Sequence, residues 1–197
     1  MPVIFNDEMR EQIRVSLLEH GFELIKRYGM KKTSVEEVAK ASGIAKGTFY
    51  NFFPSKEEFV ASIIQHKREA FKREVNALAE AAGGFNRESV QSILEQMVFR
   101  DDNLYVYLTA EDLAVLAARA PKSIIPKEEA VEATTGMLLS LIPDKRPDCD
   151  WRVVANYMKI MTLAAINKEM LLQEALTQNI RGIISLIIVS IFGEQGQ

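Results

Sequence analysis

The side chains best suited to chemistry in this sequence lie close together, in the short stretch from Lys46 to Lys56. The ammonium of Lys46 could reach a guanine edge or a phosphate, and the hydroxyls of Thr48 and Tyr50 could donate to phosphate oxygens. Gly47 would let the backbone come close to a duplex. Lys56 and the free amides of the helix that it opens could both meet phosphate. This pattern favours contact with a nucleic acid.

Enzymatic chemistry finds little support in the remaining residues. The two histidines, His20 and His66, are far apart in sequence, and no Cys/His set has metal-ligand spacing. No glycine-rich loop is suited to cradle a phosphate. Glu111 and Asp112 are adjacent, so on a helix they would point about 100° apart and not form a carboxylate pair. We expect no enzyme, no metal and no cofactor; a small helical enzyme with an incidental DNA-binding motif is the remote alternative.

Two short helices are expected to hold the basic stretch. Ser34 and Glu37 form a capping box that opens the first helix, over Val35–Ala41. Gly43 suits the tight turn that follows, where a side chain would clash or strain the backbone. The second helix is predicted over Ala45–Asn51, with its outward face free for the major groove. This arrangement is a helix-turn-helix.

Further helices are predicted from apolar spacing, caps and breakers. The first helix starts near Asn6 or Asp7 and ends at Tyr28. Four residues are expected to lock the helix-turn-helix against it: Ala39, Ile44, Phe49 and Phe52. A second capping box, Ser55 with Glu58, opens a long helix that runs from Lys56 to about Ala81.

After the flexible pair Gly83-Gly84, five more helices are predicted. They lie near Arg87–Arg100, Leu104–Arg119, Lys127–Leu141, Asp150–Leu172 and Leu176–Phe192, with Pro121, Pro126, Pro143 and Pro147 between them as breakers. No β-alternating segment competes. We therefore expect an all-α protein, with a three-helix helix-turn-helix domain over residues 1–55 and a larger helical bundle domain over residues 56–197.

The stretch from Tyr28 to Phe59 resembles the N-terminal domain of the TetR family of bacterial transcriptional regulators. The Thr-Ser pair at its start, the Lys-Gly-Thr-Phe-Tyr core and the Phe-Pro-Ser-Lys-Glu-Glu tail match in order and spacing. Beyond residue 60 only the layout is similar. There the resemblance implies a variable helical domain that dimerises and usually holds a ligand pocket.

The resemblance implies that Tyr50, Thr33 and Lys56 contact phosphates, and that Lys46 and Thr48 lie in the major groove. One departure is Asn51, where the family often has histidine; asparagine can still hydrogen-bond phosphate or adenine. The residues expected at double-stranded DNA are Thr33, Ser34, Lys46, Gly47, Thr48, Tyr50, Asn51 and Lys56.

The charge of the chain is compatible with this assignment. Residues 1–75 hold 13 Lys/Arg and 11 Asp/Glu, whereas the remainder holds 11 and 16. The single cysteine, Cys149, allows no intrachain disulfide, and no secretory signal opens the sequence. The longest apolar run, Ile183–Phe192, is shorter than the ~20 residues that cross a bilayer. We expect a cytoplasmic protein with no membrane partner.

The last two helices carry apolar faces that predict a homodimer, with an ordinary monomer core as the alternative. A dimer would place two recognition helices on half-sites roughly 34–36 Å apart. The interface is expected at Trp151, Met158, Ile180, Ile184, Ile187 and Ile191.

A scatter of methionines and aromatic residues could line an adaptable pocket. By themselves these residues fit an ordinary core, but the resemblance favours a pocket, which we place at Met97, Tyr105, Tyr107, Met137, Met158 and Met161.

We expect a ligand-responsive repressor that binds a palindromic operator as a dimer and is released by a small apolar or amphipathic effector. The effector would shift the long helix that starts at Lys56, provided that it binds the DNA-incompetent state more tightly. The alternative is a DNA-binding regulator whose C-terminal domain only dimerises or binds a protein partner.

Overall fold

A computed structural model describes residues 6–120 and 128–194. Within these ranges the chain forms nine α-helices, two short 3₁₀ helices and no strand, which confirms the predicted all-α class. The α-helices are α1 (Asp7–Tyr28), α2 (Val35–Ala41), α3 (Lys46–Phe49), α4 (Lys56–Ala82), α5 (Arg87–Phe99), α6 (Ala110–Arg119), α7 (Glu128–Ser140), α8 (Trp151–Ile166) and α9 (Gln173–Phe192). The predicted breakers Pro121 and Pro126, and the predicted helix start at Lys127, lie outside the described residues.

The chain divides into two compact units. The first comprises the described residues of Met1–Arg68 and Tyr107–Ile125, and the second those of Glu69–Val106 and Pro126–Gln197. The change between the units therefore falls inside α4, and α6 belongs to the first unit. The functional division after residue 55 stays a prediction.

The first unit is built around a cluster of phenylalanine rings. The rings of Phe49 and Phe53 lie 5.1 Å and 5.0 Å from that of Phe59 on α4, and all three side chains are buried. Phe53 therefore occupies the core place predicted for Phe52. Phe52 is half-buried, and the guanidinium of Arg10 lies 5.1 Å from its ring centre.

Helix α1 begins and ends at residues that satisfy its terminal groups. The side chain of Asn6 accepts from the backbone N–H of Met9 at 2.8 Å, and Asp7 follows in the first turn. Basic Lys26 and Arg27 lie in the last turn, where they favour the negative end of the helix dipole. Gly21 in its middle faces α4 so closely that a Cβ there would lie 2.2 Å from the Cζ of Phe59.

The second unit is a bundle in which α9 packs against α5 and α8, and α7 packs against α8. Its core contains Leu94, Val154, Met161 and the isoleucines of α9. The predicted helix from Asp150 to Leu172 ends earlier, at Ile166, because the chain turns into a 3₁₀ helix at Lys168–Met170.

The predicted helix from Leu104 also starts later, at Ala110. Thr109 and Asp112 form a capping box there, so the helix begins at Ala110 and Leu104–Tyr107 forms a separate 3₁₀ helix. The Thr-x-x-Asp pattern at residues 109–112 is the local signal for this boundary.

Helix α9 has 20 residues, an 18-residue window of which has a mean hydropathy of 1.6, and by length and composition alone it could cross a membrane. The apolar run Ile183–Phe192, which is too short to cross a bilayer, is only the second half of this helix. In the structure α9 places Ile180, Ile184 and Ile187 in the core of the second unit.

Candidate nucleic-acid interface

The turn between α2 and α3 has the geometry expected of a helix-turn-helix. The predicted capping box is confirmed: the Oγ of Ser34 accepts from the backbone N–H of Glu37, whose carboxylate accepts from the N–H of Ser34 at 2.9 Å. Gly43 has a φ of +71°, a left-handed backbone conformation that costs free energy for residues other than glycine. No atom lies within 4 Å of a Cβ built at Gly43, so strain, rather than a clash, favours glycine here.

Helix α3 is shorter than predicted, but its residues face as expected. After Phe49 the chain continues in short turns, with the N–H of Asn51 donating to the carbonyl of Thr48 at 3.1 Å. Phe49 is fully buried and anchors the helix in the phenylalanine cluster. Lys46, Gly47, Tyr50 and Asn51 are exposed, and Thr48 is half-buried. One face of this segment is therefore available to a partner.

Gly47 has no role that the protein fold explains. It lies inside α3 with an ordinary negative φ, and no atom would lie within 4 Å of a Cβ at this position. A glycine inside a helix is less favourable than alanine by roughly 1 kcal/mol. Its bare backbone leaves room for something outside the chain.

The two basic side chains are positioned differently. The ammonium of Lys46 extends from the first turn of α3 and lies 3.8 Å from the carboxylate of Glu36. Lys56 opens α4 and is partly buried, and this burial lowers its pKa despite the nearby carboxylates of Glu57, Asp112 and Glu37.

Thr33 and Ser34 both have structural roles in this conformation. Thr33 is buried, and both its hydroxyl and its N–H donate to the carbonyl of Gly29, at 2.9 Å and 3.2 Å. The hydroxyl of Ser34 donates to Glu37 at 2.7 Å. Their contacts with DNA stay predictions, and each would require these hydrogen bonds to be shared or released.

Sequence reasoning missed Arg10 as a neighbour of this surface. Its guanidinium donates to the backbone carbonyl of Asn51 at 3.0 Å. Arg10 lies in α1, 41 residues earlier in the chain, so no local spacing links it to α3. Only the packing of α1 against the helix-turn-helix brings this second cation beside the exposed face.

Comparison with known proteins identifies this module. Residues 17–63 match the model for bacterial regulatory proteins of the tetR family. Residues 17–63 therefore form a DNA-binding domain of the TetR type. The chain is 24% identical over 159 residues to an uncharacterized HTH-type transcriptional regulator, YhgD of Bacillus subtilis. This alignment covers 76% of this chain and 80% of the relative. It is also 30% identical over 73 residues to the HTH-type transcriptional repressor DhaR of a Mycobacterium species, 37% of each chain.

The fold extends beyond the DNA-binding module. A TetR-family transcriptional regulator from Cytophaga hutchinsonii superposes with a TM-score of 0.63 at 19% identity, covering 97% of this chain and 99% of that one. The TetR-type fold therefore extends over nearly the whole chain.

The second unit contains an apolar cavity of about 60 Å³. Met97 and Met158, both predicted for a pocket, are among its lining residues. The other four predicted residues are not: Met161 is buried in the core, Met137 accepts a hydrogen bond from Asn76, and Tyr107 belongs to the first unit, where it meets the edge of Phe22. Tyr105 lies in the 3₁₀ helix after α5.

The cavity walls come from five helices, α4, α5, α7, α8 and α9, and from the turn at Phe85. They consist of Phe71, Val75, Phe85, Val90, Ile93, Leu94, Met97, Thr135, Leu138, Leu139, Ile142, Val154, Met158, Ile187 and Ile191. Among the described residues, no group of three or more His, Cys, Asp or Glu side chains is placed to hold a metal ion.

The residues predicted for a dimer interface lie mainly inside this chain. Ile180, Ile184, Ile187 and Ile191 are at most 3% exposed, and the last two line the cavity together with Met158. Trp151 is half-buried against the same core. The pattern placed α9 correctly as strongly apolar, but these isoleucines face the protein's own core.

Another face of α8 and α9 is apolar and exposed. It comprises Val153, Ile160 and Leu163 on α8 and Leu186 and Val189 on α9. Each of these side chains is between 36% and 49% exposed. We call these five residues the exposed apolar face. Its side chains are available to a partner.

Proposed function

We propose that this regulator is a ligand-responsive repressor, which binds a palindromic operator as a homodimer and leaves it when a small effector binds the second unit. The observation that carries the DNA-binding part is the exposed side of α3, where Lys46, Tyr50 and Asn51 surround the bare backbone of Gly47. A duplex backbone or base edge can approach such a surface closely. In this proposal residues 1–55 bind DNA and residues 56–197 dimerise and sense the effector.

The repressor role draws support from the relatives. DhaR of Mycobacterium is a transcriptional repressor by name, and so is NemR of Escherichia coli, which is 25% identical over 91 residues. Each match covers less than half of this chain. Repression, rather than activation, is therefore our inference. A regulator of this kind acts in the cytoplasm, where its operator lies.

Binding to the DNA upstream of the protein's own gene tests the proposal. Fluorescence anisotropy with this duplex and with a scrambled one, over a series of salt concentrations, should show tighter binding to the former and a steep loss of affinity with salt. Equal affinity for both duplexes together with no salt dependence would overturn it.

Two substitutions separate reading of bases from contact with phosphate. Lys56→Ala should weaken binding to all duplexes about equally and reduce the salt slope by roughly one. Lys46→Ala should change the preference among operator variants, because a lysine in the groove can reach a guanine edge. Lys159→Ala, an exposed lysine of α8, is the control and should change neither. If Lys46→Ala and Lys56→Ala behave alike, Lys46 contacts only phosphate.

The alternative is a regulator whose second unit only dimerises or binds a protein partner. The modest volume of the cavity, about 60 Å³, favours this alternative, because ligand pockets commonly span ~300–1,000 Å³. The two functions differ in their response to small molecules, which the next experiments measure.

A further inference from the structure

The cavity of the second unit has almost no polar surface. Among the described residues that line it, Thr135 is the one whose side chain carries a polar atom, and no charged side chain takes part. Placing an ionised group in such surroundings is strongly unfavourable, since the group loses its water and gains no partner. A ligand that fits inside is therefore uncharged over the part that it buries.

A charged ligand could still fit if its charged end met a counter-ion beside the cavity. One candidate is Arg100, at the end of α5, whose guanidinium carbon lies 5.1 Å from the ring centre of Phe71 in the cavity wall. A free arginine there would suit a carboxylate well.

Arg100 is already occupied. Its Nε and Nη2 donate to the carboxylate of Asp102 at 2.7 Å and 2.9 Å, and its Nη1 donates to Glu74 at 2.6 Å. We call these three residues the Arg100 clasp. Two carboxylates therefore already accept the hydrogen bonds that this guanidinium donates. An incoming carboxylate would have to displace one of them.

We propose that the cavity binds an uncharged, hydrocarbon-rich molecule and that the Arg100 clasp turns carboxylates away. The proposal names the effector class and rests on the proposed ligand response of the second unit. The cavity is smaller than the ~150 Å³ that holds benzene in a comparable apolar site. Met97 and Met158 in its wall are half-buried, and their flexible thioethers can move to make room.

Three aromatic probes of similar shape test the class of ligand on the full chain. Toluene is neutral, benzoate is an anion and benzylammonium is a cation. Toluene should raise the Tm in a saturable way, whereas benzoate and benzylammonium at the same concentrations should leave it unchanged. Stabilisation by benzoate or benzylammonium equal to that by toluene would overturn the proposal, as would no stabilisation by toluene up to its solubility.

A matched pair of valines on α5 tests the location. Val90 lines the cavity and Val98 does not, yet both are 7% exposed. Val90→Leu adds a methylene to the cavity and should weaken toluene binding at least about fivefold, because little spare volume remains. Val98→Leu should leave the toluene affinity unchanged, and its own Tm without ligand reports any general loss of packing. Equal weakening in both variants would place toluene elsewhere.

The clasp is tested by releasing Arg100. The double variant Asp102→Asn, Glu74→Gln keeps both side-chain shapes but removes both negative charges. It should gain benzoate binding, seen as a Tm rise that the unmodified chain lacks. Asp148→Asn, in the similar pair that Arg146 makes with Asp148 at 2.6 Å and 2.5 Å, is the control and should gain nothing. If the double variant still binds toluene but not benzoate, the role of the clasp is wrong.

These measurements need no DNA, so they are independent of the repressor proposal. Toluene binding without any effect on operator affinity would retain the ligand class and refute effector release. An absence of toluene binding, with salt-dependent operator binding intact, would refute the ligand class and retain the regulator.

Discussion

At the scale of single residues, Gly47 is a position where helix stability and DNA binding are expected to favour different residues. Two other glycines have a reason within the chain, namely the positive φ of Gly43 and the contact of Gly21 with Phe59. Gly47 has a helical backbone and open space around it. The absence of a side chain there weakens α3 without improving its packing, and Gly47 lies on the surface that we propose to meet DNA.

We therefore expect Gly47→Ala to have opposite effects on stability and on binding. The free energy of unfolding should rise by up to about 1 kcal/mol, because alanine favours a helix. Affinity for the operator should fall, since the added methyl group would meet the duplex. Urea unfolding and fluorescence anisotropy measure the two effects.

Gly136→Ala is a matched control for this change. Gly136 also lies inside a helix, α7, with no atom within 4 Å of a built Cβ. It should gain similar stability and keep its operator affinity. Unchanged affinity in Gly47→Ala would show that α3 does not approach DNA at this point.

At the scale of elements, the contact between α1 and α4 positions the helix-turn-helix on the first unit. The closest approach is at Gly21, where a Cβ would lie 2.2 Å from Phe59 and 3.0 Å from Ile63. Phe59 is held between Phe49 and Phe53, so it has little freedom to move away. The two helices can come this close only because α1 carries no side chain at residue 21.

Gly21→Ala should therefore destabilise the protein although alanine is the better helix former. We expect a loss of about 1–3 kcal/mol in the free energy of unfolding, as is typical of overpacked cores. Urea unfolding monitored by circular dichroism measures it, with Gly136→Ala as the uncrowded reference. Stability equal to that of the reference would contradict the close approach.

A polar cluster joins the same two helices. The carboxylate of Glu19 on α1 accepts from His66 at 3.0 Å and from Lys67 at 2.5 Å, and the Lys67 ammonium lies 4.5 Å from the ring centre of Phe22. Burial by itself would raise the pKa of Glu19, but the bonds and charges of Lys67 and His66 outweigh it, and the pKa is lowered from 4.5.

A carboxylate whose pKa is lowered by folding stabilises the folded protein at any pH above its ordinary pKa. This stabilisation is lost as the pH falls through the lowered pKa. Glu19→Gln should therefore reduce the dependence of Tm on pH below about 4.5. Glu23→Gln, an exposed position on the same helix, is the control. Identical pH profiles for Glu19→Gln and the unmodified chain would show that the cluster does not couple to folding.

At the scale of the whole molecule, the exposed apolar face of α8 and α9 favours pairing of two chains. Ile160, Leu163 and Leu186 are each nearly half exposed. Contiguous exposed apolar surface on a soluble chain commonly marks an interface. Two-fold pairing would also supply the second recognition helix that a palindromic operator requires.

Leu186→Glu should convert the proposed dimer into a monomer, because it would place a charge in the centre of the contact. Leu78→Glu is the control: Leu78 on α4 is 48% exposed, against 49% for Leu186, and lies outside this face. Light scattering coupled to size-exclusion chromatography gives the mass of each. A monomeric unmodified chain, or a dimeric Leu186→Glu, would refute the interface.

Local signals in the sequence were sufficient for the DNA-binding module. The Ser34 capping box, the turn at Gly43 and the apolar position of Phe49 each depend on residues within a few positions of one another. Helical spacing likewise identified the all-α class and the strongly apolar last helix. Such features survive any packing arrangement, because caps and backbone conformations are decided by near neighbours.

Tertiary structure decided which apolar residues face the core, a cavity or the surface. Ile187 and Leu186 are neighbours in α9, yet one is fully buried and the other is half exposed. A helix that is apolar nearly all round has no pattern that tells its inner face from its outer one. The same holds for Arg10 beside Asn51, for Phe53 in place of Phe52, and for Arg100 between Asp102 and Glu74. The sequence alone determined the helix-turn-helix and, to within one residue, where α3 begins. The packing of distant helices determined what lies beside α3 and which residues line the cavity of the second unit.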